Sequence, residues 1–456
     1  MNENFLLTTS LAQRLFHNCA ETLPIIDYHN HLDVGDLARD RAYENLTQLW
    51  VRNDPYKHRA MRICGVPEQV ITGPSDDRTL YDAWMQVLPR LLGNPLYDWS
   101  VLEMQRIFGI SLMPGHTDPD ALWRQASERL REPGFTVRGL LKRFGVAYLA
   151  PCVPALGDPA PLANLPGAAP SLRGDGLLCP DSDVRQRLAE LTGVTIDTLA
   201  GYAAALRRRL DVFAAAGCLV ADHALDNGFG YRPEDGTNEQ RFARLLAGQE
   251  LPQAERDALA SAVLRILAGE YARRGWLMQL HLGAQRATST RLRRLAGPAG
   301  GFAGIGCGWD MGALARMLDD WEQAPAGLPR IVLFPLNPAD NTVMAVLSGS
   351  FPGDGASAQV QLGPAWWWCD HRDGIRAVLE AVSDFGVLST WIGMTTDSRS
   401  PLSFVRHEYF RRVLCEWIGE RVRVGALPAA ESALQPLVEA LCYRNAQQII
   451  LQNGEV

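Results

Sequence analysis

The stretch Pro24-Ile25-Ile26-Asp27-Tyr28-His29-Asn30-His31-Leu32 decides the fold. A short apolar run with β-branched Ile25 and Ile26 reads as a buried strand, and it ends in His29-x-His31. Side chains at i and i+2 of a strand share a face, so both imidazoles can converge on one metal ion. Asp27 stands at the same alternation, which would set three polar groups on one face at the end of a buried strand. That costs free energy unless something satisfies them. Far along the chain a second apolar run leads into Gly393-Met-Thr-Thr-Asp-Ser-Arg-Ser400, offering Asp397 with Arg399 two residues on. Two histidines and a distant carboxylate, each at the C-terminal end of a strand, suit a mononuclear site with open positions.

Between these ends lie further apolar, β-rich runs: Val146–Pro151, Cys218–His223, Leu277–His281, Arg330–Leu336 and Leu388–Asp397. Helical periodicity fills the gaps, over Asp183–Ala215, Gln253–Arg274 and Asp373–Phe385. Strands alternating with helices imply parallel βα units, hence a doubly wound sheet or a closed barrel. Polar and ionisable residues cluster just after many of the strands, and in a barrel those ends surround one cavity, which favours the barrel. The stretch from Val34 to Arg143 is too long for a loop. Its helical patterns and its aromatics (Trp50, Tyr56, Tyr81, Trp84, Trp99) predict a mainly helical insertion capping the barrel mouth, residues 34–143, with the barrel formed by 1–33 and 144–456. Ala155–Asp175, rich in Pro, Gly and Ala, reads as an irregular loop. The last helical stretch, Ala429–Leu451, is expected on the outside of the barrel.

A net charge of −7 argues against a broad nucleic-acid or membrane surface. No apolar run approaches the roughly 20 residues that span a bilayer. The opening residues lack the basic and long apolar regions of a secretory leader. Nine scattered cysteines without Cys-x-x-Cys spacing suggest reduced thiols, so a cytoplasmic location is expected.

Three further constellations follow strands. His281 ends Trp276-Leu-Met-Gln-Leu-His and is a third metal ligand, a substrate-polarising group or a hydrogen-bonded core histidine. Asp222 and His223 are adjacent, so they point to opposite faces of a strand and only one can face a cavity; His223 is taken as a substrate contact. Trp366-Trp367-Trp368 cannot all be buried on one side, so at least one indole, Trp366 or Trp367, is expected to face the cavity and stack on a sugar. An arginine on the face of Asp397 suits a substrate oxyanion or carboxylate, because its fork binds such groups bidentately.

Taken together these segments resemble the uronate isomerase (glucuronate isomerase) family of the amidohydrolase superfamily. The strongest likeness is Gly393-Met-Thr-Thr-Asp-Ser-Arg-Ser-Pro-Leu-Ser-Phe-Val-Arg-His-Glu-Tyr-Phe-Arg-Arg-Val-Leu-Cys415. Others are Gln279-Leu-His-Leu-Gly-Ala284, Leu336-Asn-Pro-Ala-Asp-Asn341, Trp366–Asp370, Asn94-Pro-Leu-Tyr-Asp-Trp99 and Tyr443-Arg-Asn-Ala446. The resemblance implies a distorted (β/α)8 TIM barrel of the metal-dependent hydrolase type with a helical insertion after strand 1. It implies one divalent metal, usually zinc, on His29, His31 and Asp397, and a small sugar acid as partner. The implied reaction interconverts D-glucuronate with D-fructuronate and D-galacturonate with D-tagaturonate. Arg399 matches an active-site arginine, and whether His281 ligates the metal is left open. By analogy with barrels of this size, a homo-oligomer is admitted.

Three places depart from the family pattern. Asp-His-Tyr-Lys-Trp-Arg is here Asp54-Pro55-Tyr56-Lys57-His58-Arg59, which keeps Tyr56 as a proton carrier and Arg59 as a substrate contact but replaces the histidine with proline. Thr-Thr-Asp-Asp-Pro is met only by Pro151-Cys152-Val153-Pro154 and a later Asp158-Pro159. Phe-Arg-Pro-Asp is aligned with Leu178-Cys179-Pro180-Asp181, which leaves a substrate-binding arginine missing unless Arg173 or Arg185 replaces it. Isomerisation through an enediol, with Asp397, Arg399 and Tyr56 as catalytic residues, is the leading expectation. The alternatives are metal-dependent hydrolysis of another sugar acid or lactone, and a non-catalytic sugar-acid binding protein.

Overall fold

The computed structural model describes residues 2–355 and 357–451. Among these residues are nine strands: β1 (Ile25–Asn30), β2 (Val146–Pro154), β3 (Ser171–Arg173), β4 (Val220–Leu225), β5 (Leu277–Leu282), β6 (Ala284–Gln285), β7 (Gly304–Ile305), β8 (Ile331–Pro335) and β9 (Val360–Leu362). Seven form one sheet in the order β1-β2-β3-β4-β5-β8-β9, every pair parallel, while β6 and β7 make a small antiparallel hairpin. The eighth barrel position is taken by residues 391–398, which form no regular ladder. This segment is nonetheless tied to both edges. The N–H of Asp397 bonds the His29 carbonyl at 3.0 Å and the N–H of His31 bonds the Ser398 carbonyl at 2.6 Å. On the other side the Trp391 indole bonds the Leu362 carbonyl at 2.7 Å and the Ile392 N–H bonds Gln361 Oε1 at 2.9 Å. The architecture is the expected α/β barrel, distorted at its seam, and the run Leu388–Asp397 is corrected from a strand to a 3₁₀ turn (Leu388–Thr390) followed by this irregular stretch.

Alternation along the strands sorts the core into two compartments. Tyr148, Ala150, Val220, Leu277, Val332 and Phe334 meet inside the barrel, while Leu149, Val153, Ala221, Leu225, Met278, Leu280 and Leu333 pack outward against the helices. Large apolar side chains on both faces are what parallel strands covered by helices require. The lower end of the barrel is plugged by Ala446, Ile449 and Ile450, which join the interior cluster. The C-terminal stretch therefore does not lie wholly outside, as expected from its helical pattern; it leaves the helix Glu431–Glu439 as π-helical turns and enters the barrel base. Gly393 permits this approach, since a Cβ there would collide with the carbonyl of Leu441, and its φ of 83° suits glycine.

Two other expectations are corrected. Asp183–Ala215 is two helices, Ser182–Thr192 and Leu199–Ala215, because Gly193 ends the first in a left-handed conformation and Thr198 caps the second. The Pro/Gly-rich stretch Ala155–Asp175 contains β3, whose three residues are too short to display an alternating pattern. Residues 34–143 carry eight helices, Val34–Arg39 through Val137–Arg143, with short 3₁₀ and π turns between some of them. No helix among the described residues is long and apolar enough to cross a membrane.

Candidate active site

The upper ends of the strands enclose a cavity of about 760 Å³, within the range of small-molecule sites. His29, His31, Asp397, Arg399, Tyr56, His281, Trp366 and Trp367 all line it. Residues expected at the strand ends thus meet on one cavity, although strict alternation fails at β1. Ile26 and Tyr28 belong to the interior cluster, so strict alternation would turn His29 outward. Between the pairs Asp27–Leu149 and Asn30–Pro151, β1 advances three residues while β2 advances two. That extra residue is a bulge, and bulges re-aim side chains beside active sites. His29 therefore follows Tyr28 into the barrel. Asp27 is left on the other side, where His407 Nε2 (2.9 Å), the Thr396 N–H (2.9 Å) and Asn30 Nδ2 (3.0 Å) all donate to it. It is a fully buried anchor for the seam, not a third group on the histidine face.

Asp397 Oδ1 lies 3.0 Å from His31 Nε2 and 3.5 Å from His29 Nε2. Burial opposes its charge, yet the hydrogen bonds and positive fields of His29 and His31 hold the carboxyl well below its ordinary range. Donors on a tetrahedral ion at about 2.1 Å stand about 3.4 Å apart, so these separations and this nitrogen and oxygen set fit one divalent cation. A second observation agrees: His281 is 1% exposed with neither ring nitrogen hydrogen-bonded, its ring 4.5 Å from that of His29. Burial and the neighbouring His29 keep it neutral. An orphaned buried imidazole beside a convergent donor set is a group awaiting an ion or a substrate oxygen. Asp397 adopts φ 51°, a left-handed conformation that Asp tolerates better than most residues and that is stored where a site over-determines it.

Tyr56 reaches the cavity because Asp54 caps the helix Pro55–Ile63, accepting from the N–H groups of Tyr56 (2.9 Å) and Lys57 (3.1 Å), with Pro55 at the first helical position. Lys57 is buried and structural, its Nζ 2.6 Å from Asp54 Oδ2. Behind Tyr56 stands Arg406, with Nη1 3.5 Å from the phenol oxygen and 2.9 Å from Asp370. Burial raises the Tyr56 pKa, and Arg406 opposes the rise.

Two predicted contacts lie elsewhere. His223 is corrected: β4 turns Asp222 inward and His223 outward, where it packs against Tyr271 with Nε2 2.9 Å from the phenol oxygen. It fits only because residue 174 is glycine, since a Cβ there would strike the imidazole. Arg59 donates to the Ala303 carbonyl at 3.3 Å and stacks over Trp368, so it braces the wall from behind and does not line the cavity.

Of the two arginines that could replace the missing one, Arg173 reaches the cavity. Arg173, at the end of β3, lines the cavity, paired with Asp175 at 2.8 Å and with the fully buried Asp222 at 3.0 Å. Leu172-Arg173-Gly174-Asp175 carries the same Arg-x-Asp spacing as the family's Phe-Arg-Pro-Asp. Arg185, the other candidate, donates to the Pro180 carbonyl at 2.6 Å. Lining residues that the sequence patterns do not single out include Arg286, which pairs with Asp226 at 2.9 Å, and Cys152 in its place beside His29.

A distorted parallel barrel with a two-histidine, one-carboxylate cluster at its upper rim is the layout of a barrel enzyme with a candidate metal site. A profile of the family described as glucuronate isomerase matches residues 1–450. The chain belongs to the glucuronate isomerase family. It is 39% identical over 462 residues to a uronate isomerase of Salmonella heidelberg and 40% identical over 463 residues to one of Salmonella paratyphi A, in each case covering 98% of both chains. Among solved structures it resembles uronate isomerase from Thermotoga maritima (TM-score 0.91, 27% identity, 99% of both chains). The fold is also that of glucuronate isomerase from Caulobacter crescentus (TM-score 0.91, 22% identity, 100% of this chain and 98% of that one).

Proposed function

We propose that this chain is an aldose–ketose isomerase of uronic acids, interconverting D-glucuronate with D-fructuronate and D-galacturonate with D-tagaturonate. The observation that carries the reading is the convergence of His29, His31 and Asp397 beside Arg399 on one cavity. His29, His31 and Asp397 hold a divalent ion, zinc by their nitrogen and oxygen donors, which when bound polarises and orients substrate oxygens.

Asp397, kept ionised, accepts the anomeric hydroxyl proton and returns it to the ring oxygen as the C1–O5 bond breaks. Tyr56 carries the proton between C2 and C1. Burial makes its phenolate scarce but strongly basic, and Arg406 at 3.5 Å stabilises that anion when it forms. Arg399 donates to the enediolate oxygen. Trp366, Trp367 and neutral His281 wall the apolar face of the sugar, and Arg173 supplies a further cation for the acid. The helices of residues 34–143 act as the cap, through which Pro55 and Tyr56 reach the substrate. Nine unpaired cysteines support work in a reducing cytoplasm.

The test is a metal-reconstituted assay with D-glucuronate and D-galacturonate in deuterated water, followed by NMR. Ketose carrying deuterium at the shifted carbon is expected. A protein that binds one metal per chain but converts neither acid would overturn the assignment.

A further inference from the structure

A metal-facing imidazole needs its other ring nitrogen held, and the partner chosen here is a thiol. Cys152 lies near the end of β2, on the inward alternation of Tyr148 and Ala150, and lines the cavity beside His29 and His31. Its Sγ is 3.5 Å from His29 Nδ1 and 3.4 Å from Asp222 Oδ1. Asp222 is fully buried, held by Arg173 at 3.0 Å and by the Ser171 hydroxyl at 3.2 Å. An ionised carboxylate only accepts, so the S–H proton is committed to Asp222. The sulfur then offers a lone pair to His29, and Nδ1 must be the nitrogen that carries hydrogen. A cation can bind only the neutral ring, and in that ring Nε2 is left bare; Nε2 is the atom that faces Asp397.

We propose that Cys152 is a positioning residue for the metal centre: through the chain Asp222–Cys152–His29 it fixes the ring orientation and the Nδ1–H tautomer that make His29 Nε2 a ligand. Carboxylates, backbone carbonyls and water are the usual holders of such a nitrogen, and removing them weakens metal binding. Here a thiol relays the carboxylate to the ring. The inference rests on the reading of His29 as a ligand. It assigns a purpose to Pro151-Cys152-Val153-Pro154, a stretch where the chain departs from the family pattern.

The experiment measures Zn²⁺ and Co²⁺ affinity of the full chain by chelator competition, with the cobalt absorption spectrum as a second readout. Cys152→Ala is expected to weaken binding by roughly 10- to 100-fold. Cys152→Ser, which keeps a donor and an acceptor, is expected to restore part of that loss, and it keeps the test open should the alanine variant fail to fold. Affinity within twofold of wild type in both variants overturns the proposal. An intense sulfur-to-cobalt absorption in wild type, lost in Cys152→Ser, also overturns it, because the sulfur would then be a direct ligand. His31→Ala separates the two levels. If it binds metal as tightly as wild type, the metal reading itself falls and this inference with it.

Discussion

Replacing Arg173 with methionine separates two jobs that the structure gives one side chain. Arg173 neutralises Asp222, which is fully buried, from 3.0 Å. Removing one partner of a buried ion pair costs about 3–5 kcal/mol, because the other charge is left uncompensated. The Arg173 side chain is 19% exposed, so the lower end applies, about 3 kcal/mol. Unfolding entropy near 2.1 cal/mol/K per residue gives roughly 1 kcal/mol/K for a chain of this length, so Arg173→Met should melt about 3 °C lower. Adding Asp222→Asn removes the orphaned charge and should recover most of that loss. Activity should behave differently. A charge-assisted hydrogen bond from Arg173 to the sugar acid is worth about 1.5–3 kcal/mol, roughly a 10- to 100-fold fall in kcat/KM, and the double variant has no means of recovering it. Thermal melts by circular dichroism and uronate turnover give both numbers. A single variant that melts with wild type refutes the electrostatic argument; a double variant that regains activity along with stability makes Arg173 a purely structural ion-pair partner.

The other sites make sharper, smaller claims. Tyr56→Phe should lower isomerisation by about 10²- to 10⁴-fold, the usual weight of a general acid–base group, while metal affinity holds; hydrolysis of a uronolactone surviving in that variant, with isomerisation unaffected, would point to the hydrolytic alternative. Arg399→Met should abolish most turnover yet change stability by no more than about 0.5 kcal/mol, since Arg399 is exposed and makes no ion pair among the described residues; unchanged turnover removes it from the mechanism. His58 is kept neutral by burial, its pKa depressed to about 4 from 6.5, so the unfolded chain takes up a proton that the folded chain refuses. The associated stability is complete above pH 6.5 and is lost as pH falls to 4, roughly 3 kcal/mol in all; in His58→Asn melts across this window, the gap to wild type should close as the pH drops, and a constant gap contradicts the burial argument.

How far the sequence could be read depended on how many residues each feature spans. The strands β1, β4, β5 and β8 announce themselves as apolar runs, and the periodicity over Gln253–Arg274 coincides with the helix of the same bounds. The bulge in β1 has no such mark. It changes which of Asp27 and His29 faces inward, and His29 and His31 both line the cavity because the bulge falls between Asp27 and Asn30. At Asp222-His223 the sequence states the choice without making it. The neighbours decide it, since Val220 joins the barrel interior and Ala224 lines the cavity on the acid's face while Ala221 and Leu225 face the helices. Arg173 was obscured because β3 is only three residues long and sits after a Pro/Gly-rich stretch; its signal was the Arg-x-Asp spacing, not a hydrophobic pattern.

The charges around the cavity distinguish its arginines. Arg173 already carries Asp175 and Asp222, and Arg286 carries Asp226 at 2.9 Å. Arg399 lines the same cavity, is exposed, and has no carboxylate partner among the described residues. Two neutralised pairs contribute little field at a distance, so Arg399 is the protein cation that an approaching sugar acid meets. Exposed charges act over about 8 Å at physiological ionic strength and less as salt rises. For wild type, kcat/KM with D-glucuronate should therefore fall between 20 and 500 mM salt, on the order of severalfold, as electrostatic capture weakens. In Arg399→Met the residual activity should be nearly flat over that range, while the double variant Arg286→Met with Asp226→Asn, which removes both charges of a balanced pair, should keep the wild-type slope. Equal slopes in all three proteins would place the capturing charge elsewhere and reduce Arg399 to a contact made only after the acid has bound.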